Sequence, residues 1–228
     1  MNVQLTNKPT VNPTNTSTTI TLGIRFFMPR PSMKTVRQQQ LIDATLVSVE
    51  RHGLHNTTIN TISGLAGLSS GLISHYFGGK QGLIEATQKY LLEQLKQALL
   101  SRTSAKTMQP FERLDAIVEA NFTELQRSRP VTKTWLSFWS QAMHEPGLAR
   151  LQHINSQRLY SNLLFSFKKL LPNAEAINAA KQTAAMIDGF WLRSALSTAP
   201  AKEFEQAQIL CKAFIKAVCM QYGENRCH

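Results

Sequence analysis

Thr58 to Lys80, TINTISGLAGLSSGLISHYFGGK, decides the fold. Thr58 precedes Ile59, Ile62 and Leu65, apolar residues three apart, so it opens a short helix. Gly67 closes that helix, Ser69 caps the next one, and Gly78-Gly79 ends it. Two short helices broken at Ala66-Gly67-Leu68-Ser69 follow the plan of a helix-turn-helix, whose second helix enters the DNA major groove. Gly64 works against this pattern, since glycine inside a helix costs ~1 kcal/mol relative to alanine. It removes no contact.

Upstream, Thr35-Val36-Arg37-Gln38 has the form of a capping box. Leu41, Ile42, Ala44, Thr45, Leu46 and Val49 then make a buried helical stripe that runs to a left-handed stop at Gly53. Residues 1–27 differ from everything that follows, with seven threonines, four asparagines, two prolines and no acid. They read as a disordered extension, or as residues before a working start at Met28. Arg30, Lys34 and Arg37 could touch phosphates as a flexible arm, or belong to a solvated tail.

Downstream, a long helix from Gln81 to Leu100 leads out of the head. Further helices are expected at 110–128, 130–144, 147–171, 174–198 and 202–222, with Pro110, Pro130, Pro146, Pro172 and Pro200 near their starts. Strand-like alternation is absent. The expected fold is all-α: a three-helix DNA-binding head over residues 28–80, and a helical effector-binding and dimerisation body over 81–228.

Charge and cysteine content narrow the function. The chain of 228 residues carries 25 lysines and arginines against 14 acids, a net +11 that favours a polyanionic partner. The excess is spread out, however, with 17 bases and 11 acids from residue 91 onward. Cys211, Cys219 and Cys227 form no CxxC pair, so no metal site is expected, and their odd number fits a reducing cytosol. Neither a membrane span nor a signal peptide is visible. No nucleophile–base pair, phosphate-cradling loop or metal spacing marks an enzyme, and no cofactor or catalytic residue is expected.

In the head, the candidate DNA-binding residues are Thr58, Ser69, Ser70, Gly71, Ser74, His75, Tyr76 and Lys80, within a motif spanning Thr58 to Phe77. Small residues let backbone and hydroxyls approach the duplex, while Tyr76 and Lys80 are long enough to grip flanking phosphates. Leu72, Ile73 and Phe77 are assigned to the head core. No arginine or asparagine lies between Ser69 and Phe77, so bidentate base reading is sparse and DNA shape carries more weight.

In the body, Trp135, Phe138 and Trp139 share one helical face, and Phe190 and Trp191 follow Asp188. Rings with one carboxylate form either ordinary core or a cage for a quaternary ammonium, each cation–π contact contributing ~0.5–2 kcal/mol. Trp135, Phe138, Trp139, Asp188 and Trp191 are the candidate effector residues. Asp188 has two other readings, an ion pair with Arg193 or a helix cap. Ala179, Ala180, Ala184, Ala185, Ala195, Ala207, Ala213 and Ala217 allow close helix approach, within one chain or across a two-fold axis.

Helix order, the Thr-Ile opening, Ala66-Gly67-Leu68-Ser69 and His75-Tyr76-Phe77-Gly78-Gly79-Lys80 resemble the TetR family of bacterial transcriptional regulators. The longer strings RHGLHNTTIN (51–60), ISHYFGGKQGLIEAT (73–87), RLQHINSQRLYSNL (150–163) and AAMIDGFWLR (184–193) resemble its BetI group. The likeness implies a cytoplasmic homodimer that binds double-stranded operator DNA through the head. It further implies repression of genes for choline uptake and for the oxidation of choline to glycine betaine, an osmoprotectant, with release by choline. A regulator of the same type that senses another hydrophobic cation or small effector is the alternative.

Overall fold

The computed structural model describes residues 32–104 and 108–223, which hold ten helices and no strand. Residues 1–27, Arg30, Cys227 and His228 lie outside them. The first helix, α1 (Met33–Asn56), is followed by α2 (Ile59–Ala66), α3 (Gly71–Phe77) and α4 (Lys80–Thr103). Then come α5 (Pro110–Asn121), α6 (Glu124–Arg127), α7 (Arg129–Gln141), α8 (Pro146–Phe167), α9 (Asn173–Ala195) and α10 (Pro200–Gly223). From Met33 onward they pack as one unit.

Two hydrophobic cores lie within it. Leu41, Ile42 and Ala44 of α1 meet Ile62, Ile73 and Leu83 in the smaller one, which Leu72, Tyr76 and Phe77 edge. The larger holds Leu91, Ile117, Trp135, Phe138, Leu163, Trp191, Phe204 and Ile215, from α4, α5 and α7 through α10. Leu46 and Ile84 belong to the larger core, so α1 and α4 each serve both. Both helices therefore run from the larger core into the smaller one.

Several expectations need correction. The first helix starts at Met33, so Thr35 lies inside its first turn and not before it. Lys34 and Arg37 sit on its first turns and not on an arm, and Arg37 donates to Gln40 at 3.1 Å. Gly53 does not stop the helix in the left-handed region; at φ 75°, ψ 162° it kinks the chain, which coils again to Asn56. Gly67 does adopt the left-handed conformation (φ 63°, ψ 32°) and ends α2.

Ser69 does not cap α3. Ser70 holds the capping position in helical conformation, with no side-chain bond, and the first turn closes through carbonyls, Leu72 N donating to Ser69 and Ile73 N to Ser70, both at 3.1 Å. The stretch 110–128 divides into α5 and α6 because Phe122 leaves the helix at φ −115° to pack edge-on against Phe204. Thr123 then caps α6. The helices α7, α8 and α9 end three or four residues before the sequence pattern does. Proline disfavours helical backbone at the residue before it, so the chain unwinds ahead of Pro146 and Pro172.

Candidate functional site

The turn between α1 and α2 is built from hydroxyls. Thr58 Oγ1 accepts from Thr61 N at 3.1 Å, and Thr58 N donates back to Thr61 Oγ1 at 2.9 Å, a reciprocal cap in which threonine replaces the usual glutamate. Ser48 Oγ, buried on α1, bonds Thr57 (3.2 Å) and Thr61 (3.1 Å), and Thr57 Oγ1 donates to the Gly53 carbonyl at 2.8 Å. These bonds fix the start of α2 against α1 and hold the exposed Thr58 at the surface.

Ile73, fully buried, pins α3 to the head core. That leaves Ser69, Ser70, Gly71, Ser74 and His75 exposed on and before the same helix. Tyr76 is half-buried; its ring lies 4.9 Å from that of His75 and meets Phe77 edge-on at 6.5 Å. Lys80 is half-buried at the start of α4 and lines a recess with His55 and Gln81. A Cβ placed on Gly82 would overlap the Phe77 carbonyl oxygen, so α3 and α4 meet there at backbone contact.

In the body, Trp135, Trp139, Asp188 and Trp191 line one cavity of ≈ 30 Å³, together with Leu95, Asn121, Gln126, Asn155 and Ile187. Trp139 and Trp191 meet at 5.3 Å with their planes 65° apart, and Trp191 continues to Phe204 at 5.9 Å. Phe138 is the correction: it is fully buried, packs edge-on against Trp135, and does not line the cavity. Its position one turn from Trp135 puts it on the same face, and both belong to the larger core, but only Trp135 also borders the cavity.

Asp188 pairs with neither Arg193 nor any other base among the described residues, and it caps no helix. Its side chain is exposed by surface area, yet burial pushes its carboxyl up to about 6. Both statements fit a carboxylate at a cavity mouth, crowded by protein on one side and wetted on the other. Solvent on the open side screens it, so the direction of the shift matters more than its size. Glu145, the other acid near α7, is the capping residue of α8 and takes no part in the cavity.

Gln126 carries no signal that sequence reasoning could find. Its Oε1 accepts from Trp135 Nε1 at 2.9 Å, while its buried Nε2 has no partner among the described residues and its side chain lines the cavity. Gln152 holds Trp139 similarly, at 3.2 Å. Uncharged amides carry no motif, and Gln126 sits on a helix that periodicity merged with its neighbour.

One face of α9 and α10 has no partner among the described residues. It exposes Leu192, Leu196, Ile209 and Leu210 alongside Ala185, Ala213 and Ala217. Ala179, Ala180 and Ala207 are instead buried in intramolecular packing. Among the described residues no helix is long and apolar enough to cross a membrane, and no cluster of ligating side chains could hold a metal ion.

This helical scaffold with an exposed helix-turn-helix defines a DNA-binding transcriptional regulator, and comparison with known proteins agrees. Residues 41–87 match the family of bacterial regulatory proteins of the tetR family, and 110–220 match the BetI-type transcriptional repressor C-terminal domain. The HTH-type transcriptional regulator BetI of Paraburkholderia phymatum is 54% identical over 173 residues, covering 76% of this chain and 88% of the relative. That of Burkholderia thailandensis is 51% identical, covering 76% and 89%. A transcriptional regulator from Pseudomonas aeruginosa PAO1 superposes with TM-score 0.71 at 25% identity, over 86% of this chain and 95% of that one. A regulator from Saccharomonospora viridis, solved in complex with choline, gives 0.69 at 17% identity, over 80% and 96%. The chain belongs to the TetR family, with a BetI-type C-terminal domain, and is a TetR-type transcriptional repressor. Members of this family bind operator DNA, act as dimers and are not enzymes.

Proposed function

We propose that this repressor controls genes of choline uptake and choline-to-glycine-betaine oxidation, and that choline releases it from its operator. The observation that carries the reading is an unpaired, partly desolvated carboxylate, Asp188, on a cavity walled by Trp135, Trp139 and Trp191. A quaternary ammonium cannot donate a hydrogen bond; it is recognised by ring faces and by opposite charge, and this cavity supplies both. The free Nε2 of Gln126 offers a donor to the alcohol oxygen of choline. The BetI-named relatives and the choline-bound neighbour make choline the first effector to try.

The proposed mechanism needs two copies of the chain. The exposed apolar face of α9 and α10 pairs them, and the α3 helices enter successive major grooves about 34–36 Å apart. Ser69, Ser70, Gly71 and Ser74 approach the duplex, while Thr58, His75, Tyr76 and Lys80 hold its phosphates. Choline in the body then shifts α4 and changes the head spacing. Choline must bind the DNA-incompetent state better, and DNA must weaken choline by the same factor. The test is fluorescence anisotropy on the promoter nearest its own gene, with and without choline. Operator affinity that stays constant across a wide choline range refutes the effector. Unchanged binding by a Tyr76→Phe, Lys80→Ala double variant refutes the assigned DNA contacts.

A further inference from the structure

A second and larger cavity adjoins the tryptophan cavity, ≈ 180 Å³ against ≈ 30 Å³, between α4, α5 and α8. Leu95, Asn121 and Asn155 line both and form a common wall. Its body is hydrocarbon, from Leu92, Leu99, Ile117 and Leu159. Its charge is opposite to that at Asp188: Lys96, Arg113 and Arg158 line it, and no lining residue is acidic.

The three bases are short of counter-charge. Lys96 pairs with Glu93 at 3.0 Å, and the charge of Arg158 also acts on Glu93, so one acid serves two bases. Arg113 has no carboxylate partner among the described residues. Its Nη1 donates to the Asn162 carbonyl (2.8 Å) and Ser166 Oγ (2.9 Å), and its Nη2 to Asn162 Oδ1 (2.6 Å). These neutral acceptors orient the guanidinium across α5 and α8 without neutralising it. Its partial burial makes the missing charge costly, which favours an anion from outside the chain.

We propose that this compartment is a second effector site, binding a small amphipathic anion: a carboxylate on a short hydrocarbon chain. The carboxylate reaches Arg113 and Arg158, and the chain lies on the leucines. The inference stands apart from the choline reading, because it rests on different residues and the opposite charge. The shared wall means that a ligand in either compartment presses on the other.

The test is calorimetry on the full chain with hexanoate, against hexan-1-ol as the uncharged isostere. Hexanoate is expected to bind saturably, one per chain, with hexan-1-ol about tenfold weaker for want of a charge-assisted bond. Arg113→Met should lose binding, and Arg158→Gln, on an exposed side chain that leaves the α5–α8 bonds intact, should weaken it several-fold. The proposal is overturned by absence of saturable binding, by equal affinity for hexan-1-ol, or by indifference to Arg158→Gln.

Discussion

Replacing Asp188 by asparagine removes the one negative charge on the tryptophan cavity while keeping its volume. A quaternary ammonium about 4–5 Å from a carboxylate gains ~3–4 kcal/mol at the effective dielectric of protein surfaces. Asp188 is wet on one side, and screening there reduces the useful part to ~2 kcal/mol. The expected result is a choline dissociation constant raised about thirtyfold, with DNA affinity in the absence of choline unchanged. An uncharged isostere such as 3,3-dimethylbutan-1-ol, which never had the Coulombic term, should bind wild type and Asp188→Asn alike.

Protons offer a second, independent measure of the same group. Burial pushes the Asp188 carboxyl up to about 6, so in the free protein it is charged above that pH and protonated below it. Choline favours the charged form and competes with the proton, so affinity falls as pH drops through about 6. From pH 7.5 to pH 5 the ionised fraction decreases about tenfold, and choline affinity should fall by about the same factor. Asp188→Asn should abolish that dependence. Calorimetry without DNA separates this effect from any titration in the head. A wild-type affinity flat across this range, or a variant within twofold of wild type at pH 7.5, would sink the assignment of Asp188.

Other residues allow sharper tests of the scaffold. Lys133→Met removes the ammonium that donates to the Glu50 carbonyl at 2.8 Å but keeps the aliphatic stem; choline should bind as before and release DNA less effectively, read by operator anisotropy against choline. Gly82→Ala should push α3 from α4 at the Phe77 carbonyl and lower operator affinity at least tenfold, while circular dichroism stays helical. Ile209→Glu, on the exposed face of α10, should give a monomer in analytical ultracentrifugation, with the loss of paired half-site binding.

How far the sequence could be read depended on whether its signals were local. Thr58 acts through its own hydroxyl on the next turn, and Gly67 and Gly78 through their own backbone, so the bounds of α2 and the end of α3 are legible. Ser69 was misjudged because a serine before a helix signals a cap only if its side chain turns inward, and here the carbonyls do that work. Trp135, Trp139, Asp188 and Trp191 come from two helices about fifty residues apart in sequence, and their chemistry nominated them without locating them. Phe138 differs for the opposite reason: periodicity puts it on the face of Trp135, but only three dimensions show which residues of that face border the cavity. Gln126 and Arg113 were invisible, since what sets them apart is a missing partner, and an absence of that kind exists only in three dimensions.

The same geometry revises how the two ends of the molecule communicate. A route through α4 alone accounts for Leu95, which lines both cavities, and for Ile84 at the join of the cores. Yet α7 carries two of the three cavity tryptophans and also packs along α1. Its Lys133 holds the Glu50 carbonyl and its Arg129 the Glu50 carboxylate at 3.5 Å, three residues before the Gly53 kink. A ligand that spreads Trp135 and Trp139 therefore pulls directly on the helix whose far end, at Leu41 and Ile42, carries the head. The Arg129 pair is exposed and contributes little by itself, so the Lys133 bond is the stronger link of the two. Two helices leaving one cavity for one head act as a lever and a brace, and a ligand displacing only one of them would tilt the head without freeing it. Under the proposed mechanism, release by a ligand would require the cavity to move α4 and α7 together, and both helices contribute to its walls.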